Sequence, residues 1–171
     1  MKTKLSAVLL ATLGLSVHIP TNACTGITLK SKDGATIAAR TIEWAESVMN
    51  TLYVVVPRNQ PLQSLTPSGM DGVKFTAKHG YIGLAVEQKE FMVEGINEKG
   101  LSAGLFYFAD YGKYLPYEAE HRQRSLADFQ LVPYVLAVCA TVDEVKKALA
   151  EAEPREIAAI AKQYRETLKE I

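Results

Sequence analysis

Apolar and polar positions divide the chain into a strand-rich first part and a helical second part. Apolar and β-branched runs predict strands at residues 26–29, 35–40, 51–56, 81–86, 91–93 and 101–108. From residue 126 onward, apolar positions recur at helical spacing and predict helices over residues 126–139, 142–151 and 155–171. We detect no internal repeat or low-complexity segment between the two parts.

Turn-forming residues separate these predicted elements. An Asp-Gly pair within residues 31–34 predicts a tight hairpin turn between the first two strands. Residues 97–100, Asn-Glu-Lys-Gly, predict a second turn, and the polar residues 64–73 predict a loop. Pro133 is expected to kink the first helix or to lie in its first turn, and Thr141 is expected to cap the second helix.

The first 23 residues have the pattern of an export signal. Two lysines precede an apolar run at residues 5–17, which is shorter than the ~20 residues that a membrane-spanning helix needs. Pro20 ends this run, and small residues precede a cleavage point before Cys24. We therefore expect residues 1–23 to be removed, which leaves one exported domain at residues 24–171 in the periplasm or outside the cell.

Cleavage at this point would make Cys24 the first residue of the mature chain, with a thiol and a free α-amino group. A thiolate is a nucleophile, and an α-amine with an ordinary pKa of about 7.7–8.0 can accept and return a proton near neutral pH. Cys24 would then hold both nucleophile and base. The alternative is a lipoprotein in which Cys24 is acylated. An acylated amine could not act as a base, and Thr21 departs from the leucine usual in that signal.

Composition limits the class of protein. The chain has 171 residues with 19 basic and 19 acidic side chains, so nothing favours nucleic-acid binding or an anionic membrane surface. No second apolar run is long enough to span a membrane. Cys139 lies in an apolar stretch and is expected to be an inert core thiol. The histidines, His18, His79 and His121, lack the spacing of a metal site.

Two charged residues are expected to lie near Cys24. Antiparallel pairing across the first hairpin would return Arg40 to the neighbourhood of Cys24, where a guanidinium would favour the thiolate over the thiol. Glu43, three residues further on, could hold the α-amino group by a charge-assisted hydrogen bond. The alternative is that both are ordinary surface residues at the end of a strand.

Several separated motifs occur in an order that identifies a family. They are Cys-Thr-Gly-Ile-Thr-Leu-Lys-Ser-Lys-Asp-Gly at 24–34, Ala-Arg-Thr-Ile-Glu-Trp at 39–44, Val-Pro-Arg-Asn at 56–59, Gly-Ile-Asn-Glu-Lys-Gly-Leu at 95–101, Leu-Phe-Tyr-Phe at 105–108 and Cys-Ala-Thr-Val-Asp-Glu-Val at 139–145. Together they resemble the choloylglycine hydrolase family of N-terminal-nucleophile hydrolases, which includes bile salt hydrolases and penicillin V acylases. The resemblance covers residues 24–150.

The resemblance implies an α+β fold, the αββα sandwich of N-terminal-nucleophile hydrolases, with only its N-terminal half present. It implies that Cys24 is the catalytic nucleophile and that Arg40 lies beside the thiol. Glu43 stands where the family usually has Asp, which lengthens the arm of the carboxylate. Tyr107 matches the position whose backbone N–H forms half of the oxyanion hole. Tyrosine there is typical of penicillin V acylases, whereas bile salt hydrolases tend to have asparagine.

The implied reaction is hydrolysis of a linear amide C–N bond through an acyl thioester, without a metal or organic cofactor. The substrate class is a small-molecule amide such as penicillin V, an N-acyl homoserine lactone or a conjugated bile salt. Tyr81, Phe106 and Phe108 are candidates to line an acyl pocket, or else are core aromatics at strand spacing. Family members tend to form homo-oligomers, and the resemblance implies no nucleic-acid partner.

The chain departs from the family in its second part. The family is about twice as long, and its second half supplies an Asn, in an Asn-Ser-Pro-like segment, that completes the oxyanion hole, as well as a later Arg. None of the asparagines here has that context; they are Asn22, Asn50, Asn59 and Asn97. The chain beyond Glu153 predicts a charged, divergent helical tail at residues 155–171. The alternative function is therefore a truncated, non-catalytic homologue whose incomplete sheet exposes an edge and an apolar face.

Overall fold

The computed structural model describes residues 24–43, 49–106, 114–151 and 153–156. The predicted signal at residues 1–23, Tyr107, Phe108 and most of the predicted tail lie outside these residues. The strands are β1 (Gly26–Lys30), β2 (Thr36–Arg40), β3 (Thr51–Val56), β4 (Pro61–Gln63), β5 (Lys74–Thr76), β6 (Tyr81–Val86), β7 (Met92–Asn97), β8 (Ser102–Gly104), β9 (Leu115–Pro116), β10 (Ser125–Ala127) and β11 (Glu153–Glu156). The helices are α1 (Leu131–Val138) and α2 (Val142–Glu151), with 3-10 turns at Ala119–Arg124 and Asp128–Gln130.

The predicted N-terminal hairpin is confirmed. β1 and β2 pair in antiparallel register, with Gly26 opposite Arg40 and Lys30 opposite Thr36. The turn between them closes through a hydrogen bond from Ser31 N to the Ala35 carbonyl at 2.9 Å. Gly34 has a φ of 89°, a left-handed conformation that favours glycine. Local turn chemistry thus sets the register that returns the chain toward Cys24.

A four-stranded antiparallel sheet, in the order β3-β6-β7-β8, forms the centre of the described structure. Helix α1 covers its inner face, where Met92 and Leu136 are among the largest fully buried side chains. Gly83 and Gly95 are direct partners in β6 and β7. A Cβ on Gly95 would lie 2.7 Å from the Ile82 carbonyl oxygen and 2.8 Å from Leu136 Cδ1. This glycine pair therefore permits close approach of α1 to the sheet.

Replacing Gly95 with alanine is expected to lower the free energy of unfolding by about 1–3 kcal/mol, because the added methyl overpacks a backbone contact. Urea unfolding followed by circular dichroism measures this change. The matched control is Gly104→Ala in β8, where a Cβ would meet Phe106 and Arg40 at ordinary distances of 3.5 and 3.6 Å. Equal losses in the two variants would contradict the close-approach argument.

The opposite face of this sheet, which we call the outer face, is apolar and exposed. Val55, Ile82 and Ile96 are neighbours across β3, β6 and β7. Their exposed fractions are 71%, 46% and 48%, and nearby Tyr53 is 83% exposed. Large apolar side chains at this exposure, contiguous on one sheet face, are unusual for a protein surface.

The second part of the chain differs from the sequence prediction at two places. Residues 126 and 127 lie in strand β10 rather than in a helix, and residues 155 and 156 lie in strand β11. The cause is parallel pairing between distant segments, because β11 lies between β10 and β9 in a three-stranded sheet. The rest of the predicted tail helix, residues 157–171, lies outside the described residues.

Both predicted helix signals after residue 130 are confirmed. α1 begins at Leu131, so Pro133 lies in its first turn, and α2 has the predicted bounds. Thr141 Oγ1 accepts a hydrogen bond from Glu144 N at 3.2 Å, which caps α2. Within the described ranges, no helix has the length and apolar character needed to cross a membrane.

The predicted loop at residues 64–73 is also confirmed, and it connects β4 and β5, two strands that the sequence did not predict. Ser64 and Gln130 are both buried and anchor this loop. Ser64 Oγ donates to Gln130 Oε1 at 2.9 Å and accepts from Ala127 N at 2.8 Å. The loop is thereby fixed to the start of α1.

Candidate active site

Cys24 and Arg40 lie at the same end of the N-terminal hairpin. Arg40 is the last residue of β2 and pairs with Gly26, two residues after Cys24. A hydrogen bond from Thr41 N to the Thr25 carbonyl at 2.9 Å extends the pairing past the end of the strands. Because directly opposite residues of an antiparallel pair share a face, Arg40 lies on the face of Gly26, and Cys24 precedes Gly26 by two residues. The backbone register therefore brings residues 24 and 40 to the same end of the hairpin, and the effect of Arg40 on the Cys24 thiol stays a prediction.

The Arg40 guanidinium is held by main-chain oxygens of the central sheet. Its Nη1 donates to the Val93 carbonyl at 3.0 Å and to the Leu105 carbonyl, and its Nε donates to the Thr41 carbonyl at 3.3 Å. Arg40 Cζ also lies 4.4 Å from the centre of the Phe106 ring, a cation–π distance. These contacts attach the hairpin to the β7–β8 end of the sheet and fix a positive charge there.

Glu43 is exposed, and a side-chain hydrogen bond directs it toward the start of β1. Its Oε1 accepts from Thr41 Oγ1 at 3.0 Å. The same hydroxyl oxygen accepts from Thr25 N at 3.1 Å. The Glu43 carboxylate is therefore connected through one hydroxyl to the residue that follows Cys24. Sequence reasoning named Glu43 but missed Thr41, because neither hydrogen bond follows from residue spacing.

Phe106 lies over Gly26, the first residue of β1. A Cβ on Gly26 would be 2.6 Å from Phe106 Cζ, so only glycine at position 26 leaves room for the ring. Phe106 is 48% exposed. This candidate for an acyl pocket is therefore near the thiol end of the hairpin. The signal that could have indicated this contact is a glycine inside a strand, which often marks a close approach.

Tyr81, another pocket candidate, is a core residue. It is 5% exposed and packs in the main apolar cluster with Val56 and Leu136. Burial raises the pKa of Tyr81 to about 12. It also borders an open cavity of about 810 Å³ along β3 and the β4–β5 hairpin. That cavity follows the β3 edge of the sheet, whereas Arg40 is bound at the β7–β8 end.

Tyr107 and Phe108, the remaining site candidates, lie outside the described residues. The segment leading to Tyr107 is fixed at Leu105, whose N–H donates to the Val93 carbonyl at 2.8 Å. The Leu105 carbonyl in turn accepts from Arg40. The predicted oxyanion-hole role of the Tyr107 N–H stays a prediction.

The two cysteines are free and lie in different surroundings. Cys24 is partly exposed, whereas Cys139 is 1% exposed. Burial raises the pKa of the Cys139 thiol, and the nearby Glu144 carboxylate raises it further. The prediction that Cys139 is a core thiol is confirmed, so Cys24 is the accessible cysteine.

The family match found by comparison with known proteins begins at Cys24. The family of linear amide C–N hydrolases, choloylglycine hydrolase family, matches residues 24–169. A bile salt hydrolase/transferase of Clostridium perfringens is 28% identical over 131 residues, 75% of this chain and 38% of that protein. The bile salt hydrolase/transferase of Lactiplantibacillus plantarum is 30% identical over 128 residues, 72% of this chain and 36% of that protein.

Solved structures similar to this chain include two variants of a bile acid hydrolase. A mutant of conjugated bile acid hydrolase from Clostridium perfringens has a TM-score of 0.61 and 28% identity, covering 78% of this chain and 39% of that one. A second variant of that hydrolase has a TM-score of 0.60 and 27% identity, with 76% and 38% coverage. The chain spans less than two fifths of the length of these relatives.

Proposed function

Because the chain belongs to the choloylglycine hydrolase family of linear amide C–N hydrolases, we propose that it hydrolyses a small-molecule amide through an acyl thioester on Cys24. The observation that supports the proposal is that a partly exposed cysteine, two residues before Gly26, and a fixed arginine, paired with Gly26, lie at the same end of the hairpin. The chain has the α+β, N-terminal-nucleophile fold of the bile acid hydrolase whose two variant structures it resembles. The family match extends to residue 169, beyond the resemblance read from the sequence.

The proposed reaction begins when the Cys24 thiolate attacks the amide carbonyl carbon and pushes its electron pair onto the oxygen. The Tyr107 N–H stabilises this oxyanion, an effect whose removal costs about 2.7–4 kcal/mol in comparable sites. Collapse of the intermediate breaks the C–N bond, and the α-ammonium group of Cys24 protonates the leaving nitrogen. The α-amine then deprotonates a water molecule, which hydrolyses the thioester to a carboxylic acid and restores the thiolate.

Arg40 and Glu43 have supporting roles in this reaction. Arg40 supplies a positive charge near the thiolate, and its bonds to main-chain carbonyls hold that charge in place before substrate binds. Glu43 stabilises the charged form of the α-amino group. The related crystal structures support the pairing of cysteine with arginine. Their altered residues are a cysteine and an arginine sixteen positions apart, the same separation as Cys24 and Arg40 here.

Two observations bear on the substrate and favour different amides. The relatives are named bile salt hydrolases, which favours a conjugated bile salt. Tyr107 matches the residue typical of penicillin V acylases, which favours penicillin V, and N-acyl homoserine lactones are the third class. Since the mechanism needs a free α-amine on Cys24, the proposal includes export and removal of residues 1–23.

The test is intact mass spectrometry of the exported protein, expressed from its native reading frame and acid-quenched after mixing with each of the three amides. We expect an unmodified N-terminal Cys24 and, with one substrate class, an added mass equal to the acyl group less one hydrogen. Peptide mapping should place that group on Cys24. Diacylglyceryl mass on Cys24 would reject the amine as base. Absence of both adduct and turnover with all three would favour the non-catalytic homologue.

A further inference from the structure

One hydroxyl group links the peptide next to Cys24 with the Glu43 carboxylate. Thr41 Oγ1 accepts a hydrogen bond from Thr25 N at 3.1 Å and donates one to Glu43 Oε1 at 3.0 Å. The Thr41 backbone N–H donates to the Thr25 carbonyl at 2.9 Å. Thr41 is therefore bound to residue 25 through both its backbone and its side chain, and it holds Glu43 at the same time.

The Thr41 hydroxyl acts both as a donor and as an acceptor, since a hydroxyl group has one proton to donate and lone pairs that accept. A hydrogen bond donated to a carboxylate is charge-assisted and stronger than a neutral one. Glu43 is exposed and has several rotatable bonds, so without such a contact its carboxylate would sample many positions. Thr41 restricts it to the neighbourhood of the Cys24–Thr25 peptide.

We propose that Thr41 is a positioning residue, whose hydroxyl directs the Glu43 carboxylate toward the α-amino group of Cys24. The inference rests on the proposed function, because it needs Cys24 as the first residue of the mature chain. It also accounts for glutamate at this position, since the hydroxyl fixes the longer side chain at a defined distance from the start of β1.

The other charged groups near this end of the hairpin are Arg40 and Glu94. Arg40, on the same hairpin, directs Nη1 to two main-chain carbonyls of the central sheet region. In the described strands β7 and β8, Glu94 is the one charged side chain, and the turn between the strands adds Glu98 and Lys99. Glu94 lies opposite Gly104, on the sheet face that Arg40 approaches, so it is the carboxylate from which Glu43 must be distinguished. Because the Thr41 hydroxyl bonds Glu43, a substitution of Thr41 acts on Glu43.

The test compares Thr41→Val, which keeps the shape and removes the hydroxyl, with Thr41→Ser, which keeps the hydroxyl. The protein is exported from the full reading frame with ¹⁵N-labelled cysteine. Because the chain has only two cysteines, the spectrum contains the Cys24 amine and the buried Cys139 amide as a fold control. The measurement is the pH midpoint at which the Cys24 amine titrates.

A nearby carboxylate favours the protonated amine, so its misplacement should move the amine midpoint to lower pH. We expect a decrease of about 0.5–1 pH unit in Thr41→Val, at the low end of shifts caused by a close opposite charge, and about the wild-type midpoint in Thr41→Ser. An unchanged midpoint in Thr41→Val, with an unaltered Cys139 signal, would overturn the proposal. Equal shifts in the two variants would also overturn it.

The titration needs no substrate, so its outcome can be distinguished from the outcome of the test for amide hydrolysis. If the wild type hydrolyses its amide, the pH dependence of kcat in Thr41→Val should shift by the same amount as the amine midpoint. If the amine midpoint shifts as expected but the protein shows no turnover, the proposed role of Thr41 stands and the proposed hydrolase activity is overturned. Turnover by a chain that keeps residues before Cys24 would overturn the role of Thr41.

Discussion

Replacing Cys24 with alanine is expected to lower amide hydrolysis by a factor on the order of 10⁴ or more, as in other enzymes that lose their nucleophile. Alanine has no thiolate, so neither the tetrahedral adduct nor the acyl thioester can form. The backbone of the hairpin is unaffected, because residue 24 precedes β1. Initial rates of amine release, with the substrate that gives the acyl adduct, measure the effect.

Cys139 provides the matched control for this prediction. It is the other free cysteine, but it is buried in the core cluster and its thiol pKa is raised. Cys139→Ala should therefore keep kcat within about twofold while lowering stability through a small cavity. If Cys24→Ala kept a tenth of the wild-type rate, or if Cys139→Ala lost activity while folded, the assignment of the nucleophile would be wrong.

Replacing Asn97 with alanine is expected to lower the free energy of unfolding by about 3–4 kcal/mol, since several buried groups lose their partner at once. Asn97 is 4% exposed. Its Nδ2 donates to the Leu136 carbonyl at 3.0 Å and the Cys139 carbonyl at 2.7 Å. Its Oδ1 accepts from Lys99 N at 3.0 Å and Leu101 N at 3.1 Å. One amide therefore joins the β7–β8 turn to the end of α1.

Urea unfolding measures this loss, and Asn50→Ala is the control. Asn50 is exposed and its Nδ2 contacts Glu87 Oε2 at 3.2 Å, so its replacement should cost about 0.5 kcal/mol or less. A loss below about 1 kcal/mol in Asn97→Ala would show that water or a shifted backbone satisfies the freed groups. Because β7 and the residues after β8 bind Arg40, a large loss should also weaken the candidate site.

Local signals account for the parts of the fold that the sequence predicts well. The β-branched run of β3, the apolar run of β6 and the capped helix α2 have the bounds expected from their own residues. β10 and β11 depend instead on parallel pairing between segments distant in sequence, and a local pattern does not reveal the partner. Short apolar and charged segments there match helical spacing equally well, so the helix prediction was wrong for them.

In the candidate site, too, features set by the local hairpin could be predicted from the sequence, whereas contacts between distant segments could not. The return of Arg40 to the end of the hairpin where Cys24 lies could be predicted because the register of a hairpin follows from its turn. The Arg40 contacts with Val93 and Leu105 join segments more than fifty residues apart, and residue spacing does not predict them. The family resemblance supplied Tyr107, whose position is outside the described residues. The role of Thr41 depends on two hydrogen bonds of its hydroxyl group, and residue spacing does not predict those bonds.

The outer face of the central sheet affects how the chain behaves in solution. Val55, Ile82 and Ile96 form an apolar surface there, and removal of residues 1–23, with Lys2 and Lys4, would leave 17 basic and 19 acidic side chains, a formal net charge of −2 at pH 7. A molecule this close to neutrality has little long-range repulsion to keep like surfaces apart. Colloidal stability of the mature chain should therefore be lowest somewhat below neutral pH, where its net charge vanishes, and improve as the chain gains charge on either side. Salt would do little to the attraction, since burial of these side chains is not electrostatic.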